Sequence, residues 1–385
     1  EIQAGIGVHK SPELYGAFPA DPYSHTPGGK GAQQPGMTGQ VKEDVLSRIG
    51  ELGVFVSAGK IIFNPKLLRA SEFLKTPKPF KYTAISKEDK TEYKLKGKVV
   101  VLAASACSSA RILLNSKSKQ HPNGLGNSSD LVGKYLHDST GGGRMAFLPE
   151  LVDRKIYNED GVGGMHVYSP WWLDNKNLNF PRGYHIEVWG GMGSPSYGSG
   201  FNVNDLNKFF GTKVGGYGDM LRTDMRKYYG SVVGMDGRGE SIAMKDNYCE
   251  IDPEKVDEFG VPVLRFNYKW SNYEVNQAKH MQDTFEEIIH NMGAIPISDK
   301  AGKESNYGLT KPGEIIHEVG TTRMGNDPKS SVVNEFEQLH DVSNVFIVDA
   351  GPFVSQADKN PTWTIMALSW RTSEFIIEEL KKQNI

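Results

Sequence analysis

The chain is short of cysteine, of long apolar runs and of basic runs, and each shortage closes off a class of function. Only two cysteines occur in 385 residues, Cys107 and Cys249, in unrelated contexts and without CxxC spacing. That pattern supports neither a metal site nor a disulfide framework, so both read as small core residues. No stretch approaches the roughly 18 consecutive apolar residues of a membrane span. No signal peptide is legible at the start, and the sequence leaves open whether such a soluble chain works in the cytoplasm or the periplasm. The chain begins with Glu1 rather than Met, which reads as a processed chain or a fragment. The formal net charge is −2 with no basic run, which gives no footing for a nucleic-acid partner. HExxH, GxSxG and Walker motifs are missing, so zinc proteolysis, serine hydrolysis and P-loop chemistry have no support. Gly5-Ile-Gly7, Gly141-Gly-Gly143 and Gly161-Val-Gly-Gly164 do not join a buried strand to a helix. Without a dinucleotide fingerprint, a nicotinamide dehydrogenase fails as a reading.

What is present is enough chain for two domains with real cores. Residues 1–40 read as loop, Val41–Leu52 as an amphipathic helix, Val54–Val56 as a short strand and Lys87–Lys90 as the centre of a hairpin. Lys98–Ala104 is a continuous apolar run, the mark of a strand covered on both faces. Ser105–Ser116 follows as a helix with Ala106, Ala110, Leu113 and Leu114 inward. From Ser139 to about Gly239 aromatics and glycines dominate. Arg144–Leu148, Met165–Tyr168 and Tyr184–Trp189 are strand candidates of a separate sheet-based domain. Residues 241–252 and 261–268 read as two more strands about a turn at Glu258–Gly260. Ser271–Met292 is a helix opened by a capping box (Ser271, Glu274) and stopped by Gly293. A last helix runs from Thr362 to Lys382, where Lys381 and Lys382 suit the helix dipole.

The chemistry concentrates near the C-terminus, in His317-Glu-Val-Gly-Thr-Thr-Arg-Met-Gly325, Val345-Phe-Ile-Val-Asp349-Ala350 and Asn360-Pro361-Thr362. His317 closes a β-like run, Glu314–Ile316, and precedes a turn-rich segment where backbone can approach a ligand. A neutral imidazole accepts a proton from an alcohol near neutral pH. Asn360 is either an ordinary helix start or an uncharged holder of that alcohol beside a helix N-terminus. Asp349 ends a buried strand, as a turn residue or as a partner of a cofactor hydroxyl. Together they suggest removal of a proton and a hydride from an alcohol. His166 and His185, on strands of the middle region, read as plain strand residues or as pocket lining.

These C-terminal blocks, with Ser331-Val-Val-Asn and Asn344-Val-Phe-Ile-Val-Asp-Ala, resemble the glucose–methanol–choline (GMC) flavoprotein oxidoreductases, nearest the bacterial sugar-alcohol and gluconate dehydrogenase-like branch. Val99-Val-Val-Leu-Ala-Ala-Ser-Ala and Ser109-Ala-Arg-Ile-Leu-Leu-Asn-Ser116 resemble that family's central FAD-domain segment. The likeness covers residues 95–137 and 240–385. It implies an α/β chain (α+β overall): an incomplete FAD-binding Rossmann-like domain at 95–137 and 332–385, and a substrate domain at 138–331 on a mostly antiparallel sheet. Residues 1–94 would be a remnant of the N-terminal region. It implies FAD as cofactor, a sugar, polyol or other alcohol as substrate, and an electron acceptor or partner subunit as a further open partner. By the same likeness His317 takes the hydroxyl proton, hydride passes to flavin N5, and Asn360 orients the hydroxyl. Asp349 and Ala350 would touch the ribityl and phosphates, Pro361 and Thr362 the flavin ring, and Ala103 and Ala104 the adenosine half. The departure is the missing GxGxxG unit, which points to a fragment or an incomplete gene model of a longer enzyme. The competing expectation is a relic that binds a partner or sugar without a flavin.

Overall fold

The computed structural model describes residues 54–57, 60–63, 84–85, 92–93, 97–154, 167–169, 177–190, 218–228 and 230–385. The helix expected at Val41–Leu52, the loops at 1–40 and His166 lie outside the described residues. The elements in order are β1 (Val54–Ser57), β2 (Lys60–Phe63), β3 (Ala84–Ile85), β4 (Glu92–Tyr93), β5 (Val100–Leu102) and α1 (Ala106–Asn115). β6 (Thr140–Phe147), β7 (Val167–Ser169), β8 (Tyr184–Gly190), α2 (Asp219–Tyr228) and β9 (Val232–Gly239) follow. The chain closes with β10 (Tyr248–Val256), β11 (Pro262–Asn267), α3 (Asn272–Asn291), β12 (Ile295–Pro296), β13 (Val345–Ile347) and α4 (Thr362–Lys382). β3 and β4 pair antiparallel on either side of the hairpin expected about Lys87–Lys90, which itself lies outside the described residues.

Five strands form one antiparallel sheet in the order β12-β6-β9-β8-β7. One face of it packs on α3. That helix starts where the sequence places it, because Ser271 and Glu274 close a reciprocal capping box over the first free N–H groups. Met281, Phe285 and Ile289 recur at helical spacing and bury against Tyr184, Ile186, Val233 and Met235. Each large apolar side chain so enclosed stabilises the fold by about 1.5–3 kcal/mol. Alternation along β8 then sends His185 and Glu187 to the opposite face of the sheet, away from Tyr184 and Ile186.

A second core joins α1, β13 and the β10–β11 hairpin: Ala110, Leu113, Leu114, Val132, Cys249, Val345 and Ile347 bury together. Cys249 lies inside it and Cys107 packs against it, both as free thiols. α1 is capped by the Ser105 hydroxyl, which accepts from Ser108 N. β5 and β13 run parallel, Val345 opposite Val100 and Ile347 opposite Leu102.

Three local expectations are corrected. The run Lys98–Ala104 is not covered on both faces: Val100 and Val101 are 37% and 49% exposed. Among the described residues β13 is the sole sheet neighbour of β5. Residues 241–247 are not strand. Ser241 Oγ donates to the Asp138 carbonyl (2.7 Å) and Asn247 pairs with the Lys269 backbone, so side chains take the place of a ladder. Glu314–Ile316 is a bend, because Glu314 N donates to the Lys311 carbonyl and its carboxylate accepts from Lys311 N (3.1 and 3.0 Å).

Candidate active site

His317 follows that bend. Its backbone N–H donates to Asp138 Oδ1 (2.9 Å), and two residues on Val319 pairs with His137 through both backbone hydrogen bonds. Gly320 comes next at φ 96°, where a Cβ would run into the Tyr135 carbonyl and the His137 ring, so only glycine fits. The segment is thus seated on the one leading into β6, and the His317 ring comes beside Ser139, with Nδ1 3.4 Å from Ser139 Oγ. Burial, then the Arg238 charge, hold the imidazole below its ordinary pKa, with Glu187 pulling the other way. The ring is therefore neutral at neutral pH, the form that accepts a proton.

Asn360 is exposed at the start of α4, beside a cavity of about 290 Å³ lined by Met324, Phe353, Gln356, Asn360, Pro361, Thr364 and others. α4 begins where predicted, since Pro361 fixes its own φ and lacks an N–H that the first turn would leave unbonded. No side chain caps that end. Gln356 connects the two candidates: its Nε2 donates to Ser139 Oγ (3.4 Å) and to the Lys359 carbonyl (3.3 Å). The structure therefore places His317 and the residue before Asn360 on one hydrogen-bonded path.

The candidate cofactor residues also converge. β5 and β13, being parallel, end on the same side, which brings Ala103 and Ala104 next to Asp349 and Ala350. Ser109 ties them: its hydroxyl donates to Asp349 Oδ2 (2.5 Å) and accepts from Ala104 N (3.2 Å). Asp349 Oδ1 accepts from Gly351 N (2.8 Å). Burial raises the Asp349 pKa, and the hydrogen bonds from Ser109, Gly351 and Ala104 oppose it. Gly351 is required, because a Cβ there would strike Thr322 Oγ1. Ala350 packs with Ile365 and Leu368, which brings the strand end against α4, whose first residues are Pro361 and Thr362.

Sequence reasoning missed several buried groups here. Asp138 is pushed up to about 6 by burial, against hydrogen bonds from His317 and Ser139. His137 is pulled down to about 4 by burial, although its Nδ1 contacts the Tyr135 carbonyl. Ser139 and Gln356 carried no signal at all. His185 and Glu187 carried one, since a spacing of two on a strand puts both on the same face.

Comparison with known proteins finds likenesses over much of the chain. Residues 245–369 match the family model described as GMC oxidoreductase. A 2-methyl-1,2-propanediol dehydrogenase of Mycolicibacterium austroafricanum is 29% identical over 296 residues, 76% of this chain and 50% of that protein. The fructose dehydrogenase large subunit of Gluconobacter japonicus is 26% identical over 78% of this chain and 51% of its own length. Among solved structures, a formate oxidase variant from Aspergillus oryzae aligns with a TM-score of 0.53 at 12% identity, over 79% of this chain and 58% of that one, a likeness of fold alone. Over residues 245–369 the chain is similar to the GMC oxidoreductases, which are FAD-dependent flavoenzymes. It spans about half the length of the curated relatives it matches.

Proposed function

We propose that this chain carries the proton-accepting site and part of the cofactor cradle of an FAD-dependent oxidoreductase acting on a CH–OH group of a sugar, polyol or other alcohol. The observation that carries the reading is the neutral, partly buried His317, linked through Ser139 and Gln356 to the segment before Asn360. Ser139 Oγ already accepts from Gln356. If it accepts from His317 Nδ1–H as well, the lone pair is left on Nε2, free to take a hydroxyl proton. Asn360 holds that hydroxyl and cannot itself serve as a base. Residues 95–137 and 332–385 form the cofactor side in this reading, and residues 138–331 the substrate side.

The residues present fit FAD. The N-terminus of α4 offers N–H groups that no side chain caps, next to a cavity of about 290 Å³ with apolar walls from Met324, Phe353 and Leu368. Pro361 and Thr362 would lie along the flavin, and Asp349, Ala350, Ala103 and Ala104 would border the rest. Bound FAD supplies the hydride acceptor; the chain itself supplies the base, the orienting amide and the walls that keep out water.

A second reading, a binding module without a flavin, is favoured by one observation: no GxGxxG occurs in the chain. The two are separated by the visible spectrum of the purified protein, before and after adding FAD and then polyols and aldoses without oxygen. A flavin spectrum that bleaches with one of them supports the oxidoreductase and names its substrate class. A protein that retains no FAD supports the binding module.

A further inference from the structure

His185 is enclosed, at 1% exposure, between two carboxylates that are themselves buried. Its Nδ1 lies 2.8 Å from Asp358 Oδ2, and its Nε2 lies 3.2 Å from Glu187 Oε1. A neutral imidazole has a single N–H and would turn a lone pair on one of these carboxylates. An imidazolium donates to both. The surrounding charges are Glu187 on β8, Asp236 and Arg238 on β9, the Arg182–Glu240 ion pair (3.3 Å) at the ends of those strands, and Lys359, whose Nζ meets Asp358 Oδ2 at 2.5 Å. His317 lies within the field of Glu187 and Arg238. Burial lowers the His185 pKa, but the hydrogen bonds it donates to Asp358 and Glu187 outweigh it and leave the pKa raised. With both nitrogens occupied, His185 does not meet a substrate.

We infer that His185, held as an imidazolium between Glu187 and Asp358, is a positioning residue that fastens the Gln356–Asn360 loop to the substrate-side sheet and so sets where Asn360 stands relative to His317. The functional part rests on the pairing of His317 with Asn360 proposed above. Asp358 is two residues before Asn360, and Pro361 restricts the backbone of Asn360 before it, so the clamp and the amide are joined by a short, constrained stretch of chain. Among the described residues the loop is also tied to this region by the Gln356–Ser139 hydrogen bond, which is longer at 3.4 Å. Removing one member leaves a buried charge uncompensated, so the loop moves to hydrate it.

The test uses the purified chain labelled with ¹⁵N. Long-range ring correlations should show His185 protonated at both nitrogens at pH 7; a single protonated nitrogen overturns the inference. Backbone amide exchange at residues 356–360 should speed up about tenfold or more in His185→Ala and Asp358→Asn, while α3 and its sheet keep their protection. Exchange at 356–360 within about twofold of the parent, in variants that fold, overturns it. If His185→Ala does not fold, His185→Gln replaces it, with a smaller acceleration expected and unchanged exchange again fatal. Glu187→Gln should lower the His317 pKa through the lost negative charge; a rise counts against the arrangement. In FAD-loaded enzyme, Asp358→Asn should lower kcat by about tenfold or more with KM little changed. Parent enzyme that never reduces flavin, with a clamp that passes the exchange and ring tests, overturns the catalytic reading alone. Normal reduction with unaltered loop exchange in the variants overturns the clamp.

Discussion

His317 is the residue on which the catalytic reading depends, and its environment makes two expectations specific. In an FAD-loaded enzyme, His317→Ala should keep the cofactor and lose about 10²–10⁴ in kcat, the usual share of a general base. Unchanged turnover would remove it from the mechanism. Asn360→Ala should cost less, and loss of flavin there would make its role structural. Burial and Arg238 lower the His317 pKa, so its basic form persists to more acid pH than an ordinary histidine's. The acid limb of kcat/KM should therefore fall below pH ~6.5, with activity rising as pH increases through it and level at neutrality. A limb above that value would mean that another group titrates. At this scale the sequence exposed the candidates but not their partners. Ser109 bonds Asp349 across 240 positions, and Ser139 reaches His317 across 178. No local pattern encodes such pairings.

At the scale of elements, local chemistry and burial part company. α3 and α4 both begin where cap and proline signals place them, yet they are used differently. α3 buries Met281 and Phe285 completely. Phe285→Ala should cost about 3–5 kcal/mol in chemical denaturation. On α4, Thr372 alone is buried, while Trp363 and Trp370 are 59% and 72% exposed. Trp370→Ala should change stability by about 0.5 kcal/mol or less; a core-sized loss would show that the helix packs more tightly than described. Thr372 donates to Glu337 Oε2 (2.7 Å), and burial pushes Glu337 up to about 7 against that bond and the Arg371 charge. A carboxyl whose folded pKa is raised binds its proton more tightly than in the unfolded chain. The cost of ionising it is absent below pH ~4 and grows as pH rises to 7, by up to about 3 kcal/mol. Glu337→Gln should accordingly raise Tm at pH 8 and leave it nearly unchanged at pH 4. Equal effects at both values would contradict the buried-acid account.

For the whole molecule, the question is how much cofactor site a chain of this extent provides. It covers about half of its curated relatives' length, and β5 has a single sheet neighbour among the described residues. The residues proposed to border the cofactor still meet at the ends of β5 and β13, where Ser109 joins Ala104 to Asp349. If the chain binds FAD, ligand at one hundred times Kd should stabilise the fold by about 2.7 kcal/mol, read as a rise in Tm that grows with FAD concentration. A Tm indifferent to FAD would mean that the retained cradle does not hold the flavin unaided.

The sequence by itself determined what short-range rules encode: the capping box of α3, the proline start of α4, the helical face of α1 and the alternation that puts His185 beside Glu187. It also carried the order of the His317, Asp349 and Asn360 motifs, through which the likeness to the GMC oxidoreductases was legible. Only the tertiary structure decided that β13 is the one sheet neighbour of β5 among the described residues, that Glu314–Ile316 bends, and that Asp358 closes on His185. Those outcomes depend on which distant groups meet and how far water is excluded between them. A chain fixes such meetings by packing as a whole, which no window of neighbouring residues contains.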